Sequence, residues 1–250
     1  MTDVALSALF VGLTFLAAGF VKGVVGLGLP TVAIGLLSVA MPPAAAAAML
    51  IIPSLATNLW QTIAGPYLRV LLRRLAPLLL TIGFGTVSSI GILTGESAGL
   101  ANGVLGAVLI VYAAMGLGGV RFDVRPGAER WLSPLMGFLT GLITGTTGVF
   151  ALPVIPYLNS LGLAKDELIQ ALGLAFTVST IALAAALAIT GEFAAVDIGS
   201  SLLAVLPALA GMWVGQRLRG RIQAEAFRRW FFIGLILLGI YMLGRSLLRS

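Results

Sequence analysis

Apolar runs of about 20 residues, the length an α-helix needs to cross the ~30 Å hydrocarbon core of a bilayer, recur from one end of this chain to the other. Short polar or basic segments part them. The pattern predicts full spans near residues 43–65, 69–94 and 98–120, and again near 167–190, 197–216 and 229–247. Ahead of each trio lies an apolar stretch broken by glycine and proline, over 4–41 and 131–160, which reads as a helical hairpin interrupted at its tip. Backbone released from helical hydrogen bonding cannot face hydrocarbon, so such breaks survive only inside protein or beside a water-filled cavity. Paired breaks in corresponding halves point to a transport site.

The two tips are related. GFVKGVVGLGLP at 19–30 has a weaker echo in GLITGTTGVFALP at 141–153: Gly19, Gly23 and Gly26 match Gly141, Gly145 and Gly148 at a constant offset, and Pro30 matches Pro153 one residue later. Downstream, Ser54, Thr57 and Asn58 lie opposite Thr177, Ser179 and Thr180. The chain therefore divides into repeats of approximately 1–125 and 126–250 within a single membrane domain over 1–250. Roughly 14 residues from Trp131 to Thr144 rise about 21 Å as helix, short of the hydrocarbon core, so the second hairpin is expected to be re-entrant. The first arm, about 18 residues and about 27 Å, could carry its tip to the far interface.

Basic residues set the orientation. Arg69, Arg73 and Arg74 share one loop, Arg121, Arg125 and Arg130 another, and Arg217, Arg219, Arg221, Arg228 and Arg229 a third, so these loops are expected on the cytoplasmic side with Lys165. The loops around Glu96 and around Glu192 and Asp197 contain no Lys or Arg and should face outward, as should the N-terminus and residues 40–43. Each half then crosses the membrane an odd number of times, which makes the repeat inverted. Arg245 and Arg249 at the C-terminus break the charge rule and are expected to snorkel.

Composition agrees with this class. Of the 250 residues 59% are hydrophobic and 10% charged, against roughly 25% charged in soluble domains, and the mean hydropathy is +1.09. The fold class expected is an all-α polytopic membrane protein, an inverted repeat of two halves, each a Gly-broken re-entrant-type helical hairpin plus three transmembrane helices. Residues 4–20 could pass for a signal peptide, but Asp3 precedes them without a basic flank or clear cleavage site, so they are kept in the mature protein. The net charge of +6 resides in loops, where headgroups and topology explain it, and nucleic acid is not expected as a partner. With neither Cys nor His, disulfides, thiol chemistry, thiolate or imidazole metal sites and histidine catalysis are excluded. No cofactor is expected. An intramembrane enzyme would need a catalytic set that the predicted spans lack, so no enzymatic activity is expected.

Lys22 is the basic residue flanked on both sides by apolar sequence rather than a charged loop. An ionisable group inside a membrane marks function, whereas one at a hairpin tip can snorkel to the headgroups; both readings stand. Beside Gly23, Gly26 and Gly28, whose missing side chains expose backbone N–H groups, its ammonium would form an anion cradle. Thr57, Asn58 and Gln61 share one helical face with Ser54 a turn earlier, and serve either as ligand contacts or as interhelical glue. In the second hairpin Thr144, Thr146 and Thr147 precede Gly148, where hydroxyls and the positive end of a new half-helix would favour an anion; close packing is the other reading. Thr177 and Thr180 are the symmetry mates of the first polar run, with hydroxyls that can also satisfy themselves locally. No Asp or Glu falls within a predicted span, so a carboxylate proton relay is not visible.

The two Gly-rich segments, the AAAAMLIIPSLATNLWQ run from residue 45 and the Ala- and Thr-rich span from near Gln170 resemble the sulfite exporter TauE/SafE family of membrane permeases over nearly the whole chain. The resemblance implies a multi-pass permease of the bacterial inner membrane that moves sulfite, sulfoacetate or related organosulfonate anions. The second motif departs from the family's run of adjacent glycines, with Val149, Phe150 and Ala151 after Gly148. A secondary permease for a small sulfur oxyanion or carboxylate, working by alternating access, is the leading expectation. A channel-like anion uniporter and a non-transporting membrane scaffold or assembly subunit are the alternatives. Expected partners are the small anion, the lipid bilayer and, as an option, a second copy in a homodimer.

Overall fold

The computed structural model describes residues 2–95, 98–119, 123–125, 127–192 and 198–248. Glu96, Arg121, Asp197 and Arg249, used above for orientation, lie outside the described residues. In chain order the helices are α1 (Thr2–Val25), α2 (Leu29–Ala40), α3 (Pro43–Ile63), α4 (Leu68–Ser89), α5 (Gly91–Thr94), α6 (Ala98–Gly118), α7 (Glu129–Thr147), α8 (Val154–Asn159), α9 (Lys165–Ile189), α10 (Ile198–Leu203), α11 (Val205–Leu218) and α12 (Ala224–Leu247). Among the described residues there is no strand. The predicted spans appear within a few residues of their expected ends, with slight breaks at Ile90 and Ala204.

Among the described residues seven segments are long and apolar enough to cross a membrane, including Leu6–Val25 and all six predicted full spans. The first arm is longer than its sequence pattern suggested: the 24 residues of α1 rise about 36 Å. The second arm also exceeds its expected length, since the 19 residues of α7 rise about 28 Å. Each returning arm is short, with 12 residues in α2 and 6 in α8.

Glycine decides which helices meet. A Cβ at Gly19 would stand 2.1 Å from the Ala208 carbonyl oxygen and one at Gly23 2.3 Å from that of Met212, so α1 lies backbone to backbone on α11. The corresponding glycines do the same in the other half, Gly141 and Gly145 each placing a Cβ 2.3 Å from the carbonyl oxygens of Ile82 and Thr86 on α4. Small residues allow this approach, and with no aqueous hydrophobic drive between helices in lipid, such packing holds them together. Helices α6 and α12 cross at Gly106 and Gly239. Helix α3 lies against α9 in the middle of the molecule, and both are buried along much of their length.

Two arginines tie the ends. Arg74 at the start of α4 donates bidentately to Glu129 at the start of α7, through Nε at 2.7 Å and a second nitrogen at 2.8 Å. Arg245, an exception to the charge rule, donates at 2.7 Å to the Val39 carbonyl in the last turn of α2. A cation on the unpaired carbonyls of a helix end is favourable, which gives Arg245 a local reason to be where it is.

Candidate functional site

The break between α1 and α2 is built on two glycines. Gly26 and Gly28 adopt φ of 87° and 100°, left-handed conformations that glycine enters without steric cost, and Pro30 then falls in the first turn of α2, where its missing N–H is harmless. The Gly26 amide donates at 2.8 Å to the Lys22 carbonyl, closing α1. Lys22 thus projects from the last turn of α1.

Opposite it, α3 contains Pro53. Proline cannot donate to the carbonyl four residues back, and the freed Met49 carbonyl accepts a 2.8 Å hydrogen bond from Ser201 Oγ. One turn on, Thr57 Oγ1 lies 3.0 Å from the Pro53 carbonyl and 3.2 Å from that of Ser54, to which it donates its proton. Its lone pairs are left for Lys22. Lys22 Nζ donates to Thr57 Oγ1 at 3.0 Å and to Asn58 Oδ1.

All three side chains are buried, Lys22 at 5% exposure, Thr57 at 1% and Asn58 at 0%. Burying an ammonium is expensive unless charge or hydrogen bonds compensate, and the acceptors met here are neutral. Among the described residues an ion pair forms between Arg74 and Glu129, not at Lys22. Asn58 Nδ2 and Ser54 Oγ have no protein partner. The Lys22 ammonium therefore keeps a third N–H and meets no anion of the protein's own, an arrangement suited to a bound anion.

Lys22 and Thr57 line a cavity of about 580 Å³, with Gly23, Gly26 and Gln61. Its rim is formed by the exposed Lys165, Asp166 and Arg219 and by the segment 64–67 between α3 and α4. Two glutamines fasten α3 to α9 at this end: Gln61 Nε2 donates to the Ile169 carbonyl at 2.9 Å, and Gln170 Nε2 donates to the carbonyls of Thr62 and Gly65 at 2.7 and 2.8 Å. Gln170 Oε1 accepts from the Tyr67 amide at 2.8 Å. The end of α3 is thereby capped by a side chain of α9.

The first-half candidates come together and the second-half ones do not join them. Gly23 both lines the cavity and packs on α11, while Gly28 lies against Val21 and Phe231 rather than in the cavity lining. Thr144, Thr146 and Thr147 close α7 instead of opening a new half-helix, so they sit at its negative end. Their hydroxyls donate to carbonyls of their own helix, Thr144 to Thr140 at 2.7 Å, Thr146 to Leu142 at 2.9 Å and Thr147 to Ile143 at 2.6 Å. Gly148 ends the helix with φ 73°, and a Cβ there would stand 2.2 Å from Ile34 Cδ1. Thr177 donates to the Gly173 carbonyl and meets Thr62 Oγ1 at 3.0 Å, and Thr180 donates to the Phe176 carbonyl. These act as interhelical or local bonds.

Gln170 was missed as a site residue although its signal was present: an amide inside an apolar span, the same feature that singled out Asn58. Arg219 and Tyr67 carried no such mark. Arg219 reads as one more basic loop residue and Tyr67 as an interfacial aromatic.

No curated protein and no solved structure matches this chain. The family model described as sulfite exporter TauE/SafE matches residues 11–242, across both broken segments and all seven apolar spans but for the first residues of Leu6–Val25 and the last of α12. The chain belongs to the sulfite exporter TauE/SafE family of membrane transporters.

Proposed function

We propose that this protein is a secondary carrier of the bacterial inner membrane that moves a small anion, sulfite, an organosulfonate or a related sulfur oxyanion or carboxylate, bound in the cavity against Lys22. The observation that carries this is the buried Lys22 ammonium, which lines the cavity and is hydrogen-bonded only to neutral acceptors. An anion in the cavity supplies the missing charge and accepts from the remaining N–H of Lys22. The family supports the substrate class.

Alternating access is supported by the matched contacts of the two halves. Glycines 122 residues apart, Gly19 and Gly141, and again Gly23 and Gly145, meet carbonyls of the other half's helix, α1 on α11 and α7 on α4. That exchange is what an inverted repeat with two related broken arms would produce. The two tips differ in state. Gly26 has open space beside it, whereas Gly148 is packed against Ile34 and Ala47. With the basic loops inside, the cavity opens to the cytoplasm and the second tip closes the outer side.

Proteoliposomes loaded with unlabelled sulfite and given labelled sulfite outside test the carrier reading. Saturable uptake accelerated by internal substrate is expected, and flux that rises linearly without counterflow would favour the channel alternative. Absence of both flux and anion binding would favour the scaffold.

A further inference from the structure

The cavity is uneven in polarity. Its walls join apolar side chains, Leu27, Trp60, Leu168 and Met212, to uncharged amides such as Gln61 and Gln216, and its other cations, Lys165 and Arg219, are exposed at the rim with Asp166. At the deep end there is one charge. The groups around Lys22 Nζ are neutral, Thr57 and Asn58 in direct contact and the buried Ser54 hydroxyl a turn away on α3. The end of α1 adds nothing positive, because Lys22 lies in its last turn, where the helix dipole is negative. Gly28, which begins α2, is not among the residues lining the cavity.

An anionic head with one charge forms a neutral pair with Lys22, the one charged side chain at this end of the cavity. A head with two charges leaves one uncompensated beside a lysine that is itself only 5% exposed, and an unpaired buried ion is strongly disfavoured. We infer that the Lys22 end of the cavity selects an anionic head of single charge, a sulfonate or hydrogensulfite, against a dianionic head such as sulfate or sulfite itself. This rests on the carrier reading and narrows it. A second charge at the far end of a longer anion is not affected, since that end lies toward the wet rim with Lys165 and Arg219.

Methanesulfonate and sulfate make the test, being alike in tetrahedral shape and close in size, both fully ionised near neutral pH, and different in one methyl group for one charged oxygen. Uptake of each labelled anion is measured at equal concentration and pH in proteoliposomes of the wild type, Lys22→Met and Lys22→Arg. Methanesulfonate uptake is expected to exceed sulfate uptake by at least about a hundredfold in the wild type, given what an uncompensated buried ion costs. It should be lost in Lys22→Met, while Lys22→Arg, which keeps the charge, should retain the preference and so exclude misfolding as the cause. Equal uptake of the two anions, both lost in Lys22→Met, overturns the single-charge selection and leaves Lys22 as an anion site. Methanesulfonate uptake unchanged in Lys22→Met, or uptake of neither anion by the wild type, overturns the carrier site and the selection with it.

Discussion

Replacing Asn58 by Asp changes almost nothing in shape and much in charge. Asn58 Oδ1 accepts from Lys22, and its Nδ2 has no protein partner. In Asn58→Asp the lysine gains a carboxylate partner inside the molecule. At hydrogen-bond distance and an effective dielectric of about 20, two unit charges attract by on the order of 5 kcal/mol. Desolvating the new carboxylate costs several kcal/mol in return. The fold is therefore expected to be nearly unchanged in stability, within about 2 kcal/mol by those two terms.

The anion fares differently. It now meets a neutral pair instead of a bare ammonium and must compete with a carboxylate tethered in place. Losing even about 3 kcal/mol of attraction weakens binding by roughly a hundredfold. Isothermal titration with methanesulfonate, beside the thermal melting of the same sample in detergent, separates the two effects: binding collapses and the melting temperature stays close to wild type. Asn58→Asp with wild-type anion affinity would refute the reasoning, because the anion would then not sit against Lys22.

Four further outcomes follow from the packing and the bonding. Gly141→Ala puts a Cβ 2.3 Å from the Ile82 carbonyl oxygen and 2.8 Å from the Thr86 amide, which are backbone atoms that cannot step aside, so α4 and α7 must part at a cost of about 1–3 kcal/mol; a lowered melting temperature checks it. Gly19→Ala, at 2.1 Å from the Ala208 carbonyl oxygen, should cost a similar amount, and a loss confined to one of the two would weaken the matched-halves reading. Gln170→Leu strips the carbonyls of Thr62 and Gly65 and the amide of Tyr67 of their partner; with orphaned groups costing about 1–3 kcal/mol when buried, faster amide hydrogen exchange over residues 62–67 is expected. Thr144→Val should leave anion flux at wild-type level, since that hydroxyl is spent on the Thr140 carbonyl, and a large fall in flux would return the second hairpin to the binding site.

Much of this architecture was legible from periodicity. Six spans and the two breaks could be placed because apolar length and glycine or proline punctuation are local properties, and Lys22, Thr57 and Asn58 could each be singled out from the cost of polar groups in lipid, though their contact could not. The helix sense at the second break was not legible, for a physical reason. Threonines beside a glycine look alike whether they open a helix or close one, and only the chain direction around Gly148 places Thr144, Thr146 and Thr147 at the end of α7. Gly23 was read for its exposed backbone, while its contact with Met212 depends on which helix packs there, something no local pattern contains. The Gln170 cap on α3 is likewise a bond across 103 to 108 residues.

The central claim is that Lys22 provides the charge for a transported anion. Uptake of labelled sulfite, supplied on the acid side of neutral where hydrogensulfite dominates, into proteoliposomes by the wild type, Lys22→Met and Lys22→Arg, with each protein shown monodisperse in detergent, addresses it directly. Saturable uptake in the wild type, its loss in Lys22→Met and its partial survival in Lys22→Arg are the predicted result. Equal saturable uptake by the wild type and Lys22→Met would contradict the account.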